Sequence, residues 1–208
     1  METWGLVVAG GSGARFGRPK QFEPLGDRRV VDWAVDSLTS ACAGVVVVVP
    51  ADMVDAIDVP AATLVVAGGA DRSASVRAGL ATLGPDATHV LVHDAARPLA
   101  STDLVATVIA ALADGAPGVV PVVPVTDSLR SVDGRSVDRD GFVAVQTPQG
   151  FDLATLRTAH ARGASASDDA TLLDELGVQV RHVSGEATNF KVTQPHDLAV
   201  ARAVLDAG

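Results

Sequence analysis

The chain has 208 residues, of which 48% are hydrophobic and 20% are charged, a balance typical of one folded domain and not of a disordered chain. The net charge of −9 argues against a nucleic-acid or anionic-membrane partner, since both require a basic surface. The longest apolar stretch, around residues 45–49, is too short to cross a bilayer. The single cysteine, Cys42, excludes an internal disulfide and fits a reducing compartment, so we expect a cytoplasmic protein.

Short apolar runs alternate with longer amphipathic runs through the first 125 residues. Several of the short runs are apolar on both faces, as in a parallel sheet that is covered on both sides. The alternation indicates an α/β fold with a Rossmann-like, mostly parallel twisted sheet and helices on both faces. Ligands of such sheets bind beyond the carboxyl ends of the strands. The pattern predicts strands over residues 4–9, 44–49, 63–66, 88–93 and 118–125, and helices over residues 30–41, 51–57, 72–83 and 101–113.

The alternation breaks at residues 125–146, which we call the arm. Two short polar strands are predicted there around Ser131-Val132-Asp133-Gly134, where Asp-Gly is a strong hairpin signal. A hairpin this polar has few apolar side chains to bury by itself. It therefore either packs on another subunit, closes over a ligand or is a surface hairpin without a function. We treat residues 1–208 as a single domain that carries this arm. The remaining elements are predicted as helices over residues 152–163, 168–176 and 195–206, and a strand over residues 178–183.

A glycine-rich loop directly follows the first predicted strand, in the string Gly10-Gly11-Ser12-Gly13-Ala14-Arg15. Its glycines would let backbone amides approach an anion closely. The loop fails the dinucleotide fingerprint because Phe16 stands where the third glycine is required. It also fails the P-loop pattern, because Lys20 lies between proline and glutamine. What remains is a loop that contains Arg15 and is followed by Lys20, which places two cations near an anion held by the loop amides.

Only two lysines occur in the chain, Lys20 and Lys191, against fourteen arginines. A compact ammonium can follow a moving phosphate as a point charge, whereas a guanidinium prefers a fixed contact through two nitrogens. The two lysines therefore either mark places where arginine is a poor substitute or persist by chance. Cations also cluster near the loop, which suits a small polyanion, although a solvated charge cluster is the alternative: Arg15, Arg18, Lys20, Arg28 and Arg29.

Five strings together resemble the 2-C-methyl-D-erythritol 4-phosphate cytidylyltransferase family, in order from residue 4 to residue 200. The resemblance implies transfer of the cytidylyl group of CTP to 2-C-methyl-D-erythritol 4-phosphate in non-mevalonate isoprenoid biosynthesis, with Mg²⁺ accompanying the CTP. The strings are the glycine-rich loop, Gly68-Gly69-Ala70-Asp71-Arg72-Ser73-Ala74-Ser75-Val76, His93-Asp94-Ala95-Ala96-Arg97-Pro98, Thr147-Pro148-Gln149 and Asn189-Phe190-Lys191-Val192-Thr193.

The resemblance also implies a role for each matching position. Arg15 and Lys20 would stabilise the charge on the α-phosphate of CTP during in-line attack. Arg139 and Lys191 would hold the attacking alditol phosphate. In that family the arm packs across a homodimer, so Ser128 and Arg139 would reach the active site of the neighbouring subunit.

The other expected site residues bind one substrate or the other. Asp94 is also the one candidate ligand for Mg²⁺, and the ion could be held by phosphate oxygens alone. His93 has no second ligand at metal spacing and is expected to be structural. By resemblance, the nucleotide pocket comprises Ala9, Gly10, Gly11, Gly13, Gly68, Arg72 and Ser75, and further contacts to the alditol phosphate come from Asp94, Arg97 and Ser128.

Three other functions are alternatives to cytidylyl transfer to 2-C-methyl-D-erythritol 4-phosphate. A ribitol-5-phosphate cytidylyltransferase shares the fold and the chemistry, and differs mainly in the pocket for the second substrate. A non-catalytic module that senses CTP would be favoured had Arg15, Lys20 or Lys191 been lost, but all three are present. A dinucleotide-dependent dehydrogenase is disfavoured by the glycine spacing.

Overall fold

The computed structural model describes residues 1–11, 13, 16–163 and 165–207. Short 3-10 turns lie at Lys20–Phe22, Ala51–Met53 and Arg139–Gly141. The strands are β1 (Thr3–Val8), β2 (Pro24–Leu25), β3 (Arg28–Arg29), β4 (Val45–Val49), β5 (Leu64–Ala67), β6 (His89–Asp94), β7 (Gly118–Pro124), β8 (Leu129–Arg130), β9 (Ser136–Val137), β10 (Val143–Val145), β11 (Gln149–Asp152) and β12 (Arg181–Ser184). The helices are α1 (Val30–Thr39), α2 (Arg72–Leu80), α3 (Thr102–Ala113), α4 (Leu153–Ala161), α5 (Asp169–Asp174) and α6 (Pro195–Ala207).

The central sheet has eight strands, in the order β10-β7-β11-β6-β1-β4-β5, with β12 also paired to β7. The pairs β1–β4, β1–β6, β4–β5 and β12–β7 are parallel, while β10 and β11 run antiparallel to their neighbours. The predicted α/β fold with a mostly parallel sheet is therefore confirmed.

Helices cover both faces of the sheet, as predicted. One face packs against α1 and α3, and the other against α2, α4 and α5. The five consecutive valines of β4 are all buried, which is possible only because both faces are covered. Ser101 accepts a hydrogen bond from the amide of Leu104 at 3.0 Å and so caps α3, as its side chain predicts.

The predicted helix over residues 51–57 is wrong. The chain forms only the 3-10 turn Ala51–Met53 and further turns that end by residue 56. A helix here would place Asp55 at its carboxyl end and Asp58 just beyond it, where the helix dipole disfavours negative charge. Pro60 then prevents the helix from continuing.

The arm contains the predicted hairpin. β8 pairs antiparallel with β9, and the amide of Gly134 donates to the carbonyl of Ser131 at 2.8 Å across the turn. The chain then returns to the central sheet, where β10 pairs with β7 and β11 inserts between β7 and β6. These two antiparallel strands were not predicted from the sequence.

In the part of the chain that the structure describes, no helix is long and apolar enough to cross a membrane.

Candidate active site

A cleft of about 480 Å³ opens at the carboxyl ends of β1, β5 and β6. The chain runs from β1 to β4 and β5 on one side, and β6 then pairs with the other edge of β1. The cleft therefore lies where the strand order reverses, which is the usual ligand site of such sheets.

Three glycines of the glycine-rich loop, Gly10, Gly11 and Gly13, line one wall of the cleft. Gly13 has φ of +68°, and a Cβ atom at this position would lie 1.9 Å from the carbonyl oxygen of Arg18, so only glycine fits. The amides of Phe16 and Gly17 both donate to the carbonyl of Gly13, at 2.8 and 2.9 Å. These contacts fold the loop back on itself.

Gln21 supports this loop through its side chain, a role that was not predicted from the sequence. Its side-chain amide donates to the carbonyl of Ala9 at 2.7 Å and to the carbonyl of Gly11 at 2.9 Å. Gln21 is only 3% exposed and directly follows Lys20 in the turn Lys20–Phe22. It therefore joins the loop to the segment that carries Lys20, which also lines the cleft.

The segment after β5 forms a second wall. The hydroxyl of Ser75 accepts from the amide of Gly69 at 3.2 Å and donates to the carbonyl of Asp71 at 2.9 Å. A Cβ atom on Gly68 would lie 2.8 Å from that hydroxyl oxygen, so the segment packs closely around it. Ser75 thus shapes the wall as well as lining it.

Asp94, at the end of β6, lies between two cations. Its Oδ2 atom accepts from Nζ of Lys191 at 2.7 Å, and its Oδ1 atom lies 3.6 Å from Nε of Arg72. Burial alone would raise the pKa of Asp94, but the charges of Lys191 and Arg72 outweigh it and lower that pKa to about 2. The carboxylate is therefore charged at any physiological pH.

Arg72 reaches away from the cleft to a second carboxylate. Its Nη1 atom donates to Oδ2 of Asp169 at 2.7 Å, and Oδ1 of Asp169 lies 2.9 Å from Nε2 of His160. Although burial alone would lower the pKa of Arg72, the charges of Asp169 and Asp94 raise it. No role was predicted for Asp169 or His160 from the sequence. The signal was a pair of aspartates at the start of α5, of which the first, Asp168, caps the helix by accepting from the amide of Thr171.

His93 is structural, as the sequence predicts, and it links β6 to the turn before β11. Its Nε2 atom donates to the carbonyl of Arg97 at 3.0 Å, and its Nδ1 atom accepts from the hydroxyl of Thr147 at 2.9 Å. The same hydroxyl oxygen accepts from the amide of Asp94 at 3.0 Å. Burial lowers the pKa of His93 to about 4, so the imidazole is neutral at physiological pH.

Three of the expected alditol-phosphate residues lie outside the cleft lining. Arg97 donates to the carbonyls of Asn189, at 2.7 Å, and Val145, at 3.1 Å, and so joins the root of the arm to the segment that carries Lys191. Ser128 and Arg139 are exposed on the arm, where Arg139 donates to the carbonyl of Thr126.

Most of the other predicted site residues come together in the cleft. Gly68 lies just beside it, against Ser75. Arg15 falls outside the described residues. Those that line the cleft are Ala9, Gly10, Gly11, Gly13, Lys20, Arg72, Ser75, Asp94 and Lys191.

A glycine-rich loop and two lysines that line one cleft at the strand-order reversal are typical of a nucleotide-binding α/β enzyme that acts on phosphates. Comparison with known proteins narrows this class. A family model for 2-C-methyl-D-erythritol 4-phosphate cytidylyltransferase matches residues 4–207.

Proteins of that name are similar along nearly the whole chain. The one from Rhodococcus jostii (strain RHA1) is 46% identical over 215 residues, covering 98% of this chain and 95% of that protein. The one from Nocardia farcinica (strain IFM 10152) is 44% identical over 214 residues, covering 97% and 93%. The crystal structure of the enzyme from Thermus thermophilus matches with a TM-score of 0.86 and 41% identity, covering 99% of this chain and 100% of that one. The chain belongs to the 2-C-methyl-D-erythritol 4-phosphate cytidylyltransferase family.

Proposed function

We propose that the protein transfers the cytidylyl group of CTP to 2-C-methyl-D-erythritol 4-phosphate, a step in non-mevalonate isoprenoid precursor biosynthesis. An oxygen of the alditol phosphate attacks the α-phosphorus of CTP. The bond from that phosphorus to the bridging oxygen of the β-phosphate breaks, and pyrophosphate leaves. The products are pyrophosphate and 4-diphosphocytidyl-2-C-methyl-D-erythritol, and no protein atom changes its bonds.

One observation carries the proposal: the two lysines of the chain line the same cleft from different segments. Lys20 follows the glycine-rich loop, so it acts, together with Arg15, on the charge that grows on the α-phosphate. Lys191 pairs with Asp94 and serves the attacking phosphate. A transfer between two phosphates needs cations on both reactants, and the loss of one such group typically costs about a hundred- to a thousandfold in rate.

Mg²⁺ is proposed to enter with the triphosphate. Among the described residues, no group of three or more histidine, cysteine or acidic side chains could hold a metal ion. Asp94 is a carboxylate in the cleft lining, and its Oδ2 atom already binds Lys191. It fits a hard cation as one ligand among phosphate oxygens and waters. When bound, the ion would neutralise part of the triphosphate charge.

The arm is proposed to complete the site of a second subunit in a homodimer. Ser128 and Arg139 are exposed and lie outside the cleft lining of their own chain. The arm also exposes large apolar side chains, with Val132 and Phe142 at 110% and 53% of their reference areas. Residues 125–146 would then serve one domain, 1–208, as a dimerisation and substrate-binding arm.

The expected partners are CTP and a small alditol phosphate, and the expected compartment is the cytoplasm. The net charge of −9 opposes a nucleic-acid or anionic-membrane partner. The cleft lining nevertheless includes three cations, Lys20, Arg72 and Lys191.

The test is an assay of purified protein with CTP, Mg²⁺ and each of two alditol phosphates. We expect pyrophosphate release with 2-C-methyl-D-erythritol 4-phosphate and much less with ribitol 5-phosphate. Removal of Mg²⁺ with EDTA should stop turnover, and added Mg²⁺ should restore it. A clear preference for ribitol 5-phosphate would overturn the substrate assignment, and CTP binding without turnover would identify a nucleotide sensor.

A further inference from the structure

Asp169 is a charged side chain in the interior, at the first residue of α5. Its side chain is 0% exposed, and both carboxylate oxygens are occupied, one by Arg72 at 2.7 Å and one by His160 at 2.9 Å. A buried carboxylate is costly unless it is paired and hydrogen-bonded. Here the pairing is complete, so the cost is offset within this cluster.

Asp169, His160 and Arg72 form a cluster that continues into the cleft as a series of alternating charges. Lys191 binds Asp94 at 2.7 Å, Asp94 lies 3.6 Å from Arg72, and Arg72 binds Asp169. Arg72 thus stands between two carboxylates, and its closer contact is with Asp169, away from the cleft. Asp94 is in turn closer to Lys191 than to Arg72.

We propose that Asp169 and His160 are positioning residues that hold Arg72 back from Asp94. With Arg72 engaged by Asp169, one oxygen of Asp94 is left to Lys191, the cation that serves the attacking phosphate. Since a carboxylate only accepts hydrogen bonds, the Nε2 atom of His160 is the donor, and it fixes the orientation of Asp169. This inference rests on the proposed reaction, because it assigns the two residues to the alditol-phosphate side of that reaction.

The variant Asp169→Asn removes the buried countercharge with little change in shape. Arg72 is then left with Asp94 as its strongest carboxylate partner, so their contact should tighten and Lys191 should lose part of its hold on Asp94. We expect KM for the alditol phosphate to rise about tenfold and KM for CTP, whose expected pocket includes Arg72, to rise less. A misplacement of about 1 Å in a binding group can cost up to about a hundredfold, so a tenfold effect fits a smaller shift. A KM increase confined to CTP would overturn the proposal.

A double-mutant cycle separates positioning from general damage to the fold. If Asp169 acts through Arg72, then Asp169→Asn should change the kinetics little when Arg72→Gln is already present. Equal losses in both backgrounds would overturn the proposal. Asp174→Asn is the matched control, because Asp174 is exposed on the same helix and should leave both KM values unchanged.

Two substitutions of His160 test its share. His160→Gln places an amide donor near the position of Nε2 and should stay close to the wild type, whereas His160→Leu removes the donor and should resemble Asp169→Asn. Thermal unfolding of each variant shows whether it is folded at the assay temperature. Equal kinetics for the Gln and Leu variants would show that His160 has no positioning role. The proposed function is tested separately, by turnover of the wild-type protein.

Discussion

Lysine and arginine differ most where a phosphate must move during the reaction. The ammonium of Lys191 contacts Asp94 from a side chain that is 40% exposed, so it can bind substrate and Asp94 together. A guanidinium at the same place would favour a fixed two-point contact with the carboxylate. This difference would explain why lysine stands at position 191 in a chain that otherwise uses arginine.

Replacing each lysine by arginine should separate their roles. We expect Lys20→Arg mainly to lower kcat and Lys191→Arg mainly to raise KM for the alditol phosphate, each by about tenfold or more, because the proposed reaction assigns each ammonium to a different reactant. Steady-state kinetics with both substrates varied would measure this. Arg18→Lys is the control, since Arg18 is exposed and pairs with Glu23. Near-normal kinetics for both lysine variants would show that arginine suffices.

His93 should make the folded state sensitive to mild acid. An unfolded histidine takes up a proton near pH 6.5, but the folded protein resists this until about pH 4 because His93 is buried. Its contribution to stability is therefore complete above pH 6.5 and is lost as the pH falls towards 4, a change of about 3 kcal/mol.

Urea unfolding between pH 7.5 and 4.5 would test this dependence. His93→Gln should flatten the decline in the free energy of unfolding, whatever its own stability at neutral pH. His182→Gln is the control, because His182 is exposed on β12. A decline of the same steepness in the wild type and in His93→Gln would contradict the prediction.

At the scale of elements, the glycine-rich loop requires Gly13 to pack closely against the backbone of Arg18. Gly13 and Gly17 both have positive φ, but only Gly13 is crowded, since a Cβ atom on Gly17 would meet nothing within 4 Å. Gly17→Ala should therefore cost only the backbone strain of about 1–2 kcal/mol. Gly13→Ala must in addition displace the segment at Arg18, close to Lys20.

We expect Gly13→Ala to lower kcat/KM for CTP by about a hundredfold, because the loop and Lys20 move together. Gly17→Ala should keep activity within a few-fold of the wild type. Isothermal titration with CTP would show whether the loss lies in nucleotide binding. Equal activities of the two variants would show that the close packing of Gly13 against Arg18 does not matter for catalysis.

The sequence predicted those elements whose composition matches their burial. The valines of β4 and the capped, amphipathic α3 are examples, and both are confirmed. β11 was not predicted, because Gln149–Asp152 has one large apolar residue and is buried only through pairing with β6 and β7. Such a strand is determined by its neighbours and not by its own pattern.

At the scale of the whole molecule, nine of the residues that line the cleft were expected site residues, but their partners were not predicted. The pairs Arg72–Asp169 and Asp94–Lys191 each join residues 97 positions apart. Charge types are visible in a sequence, but which carboxylate meets which cation depends on the folded topology. The family resemblance implied roles for Lys191 and Asp94, while the contact between Arg72 and Asp169 is apparent only in the folded structure.

The structure of the arm bears on whether a single chain has a complete active site. The β8–β9 hairpin has two residues in each strand, and such a hairpin is marginal without further packing. The arm nevertheless exposes Phe142, Val143 and Val145. A symmetric dimer would cover these side chains and bring Arg139 to a second cleft.

Phe142→Asp should therefore produce a monomer that still binds CTP. Turnover should fall by about a hundredfold or more, because the proposed dimer would no longer bring Arg139 of a second chain to the alditol-phosphate side. Val200→Asp is the matched control, since Val200 is 49% exposed on α6, outside the arm, and should leave a dimer of normal activity. Light scattering gives the oligomeric state and calorimetry the CTP affinity of the same samples. A monomer with full turnover would show that each chain has a complete site, and the exposed apolar residues of the arm would then need another partner.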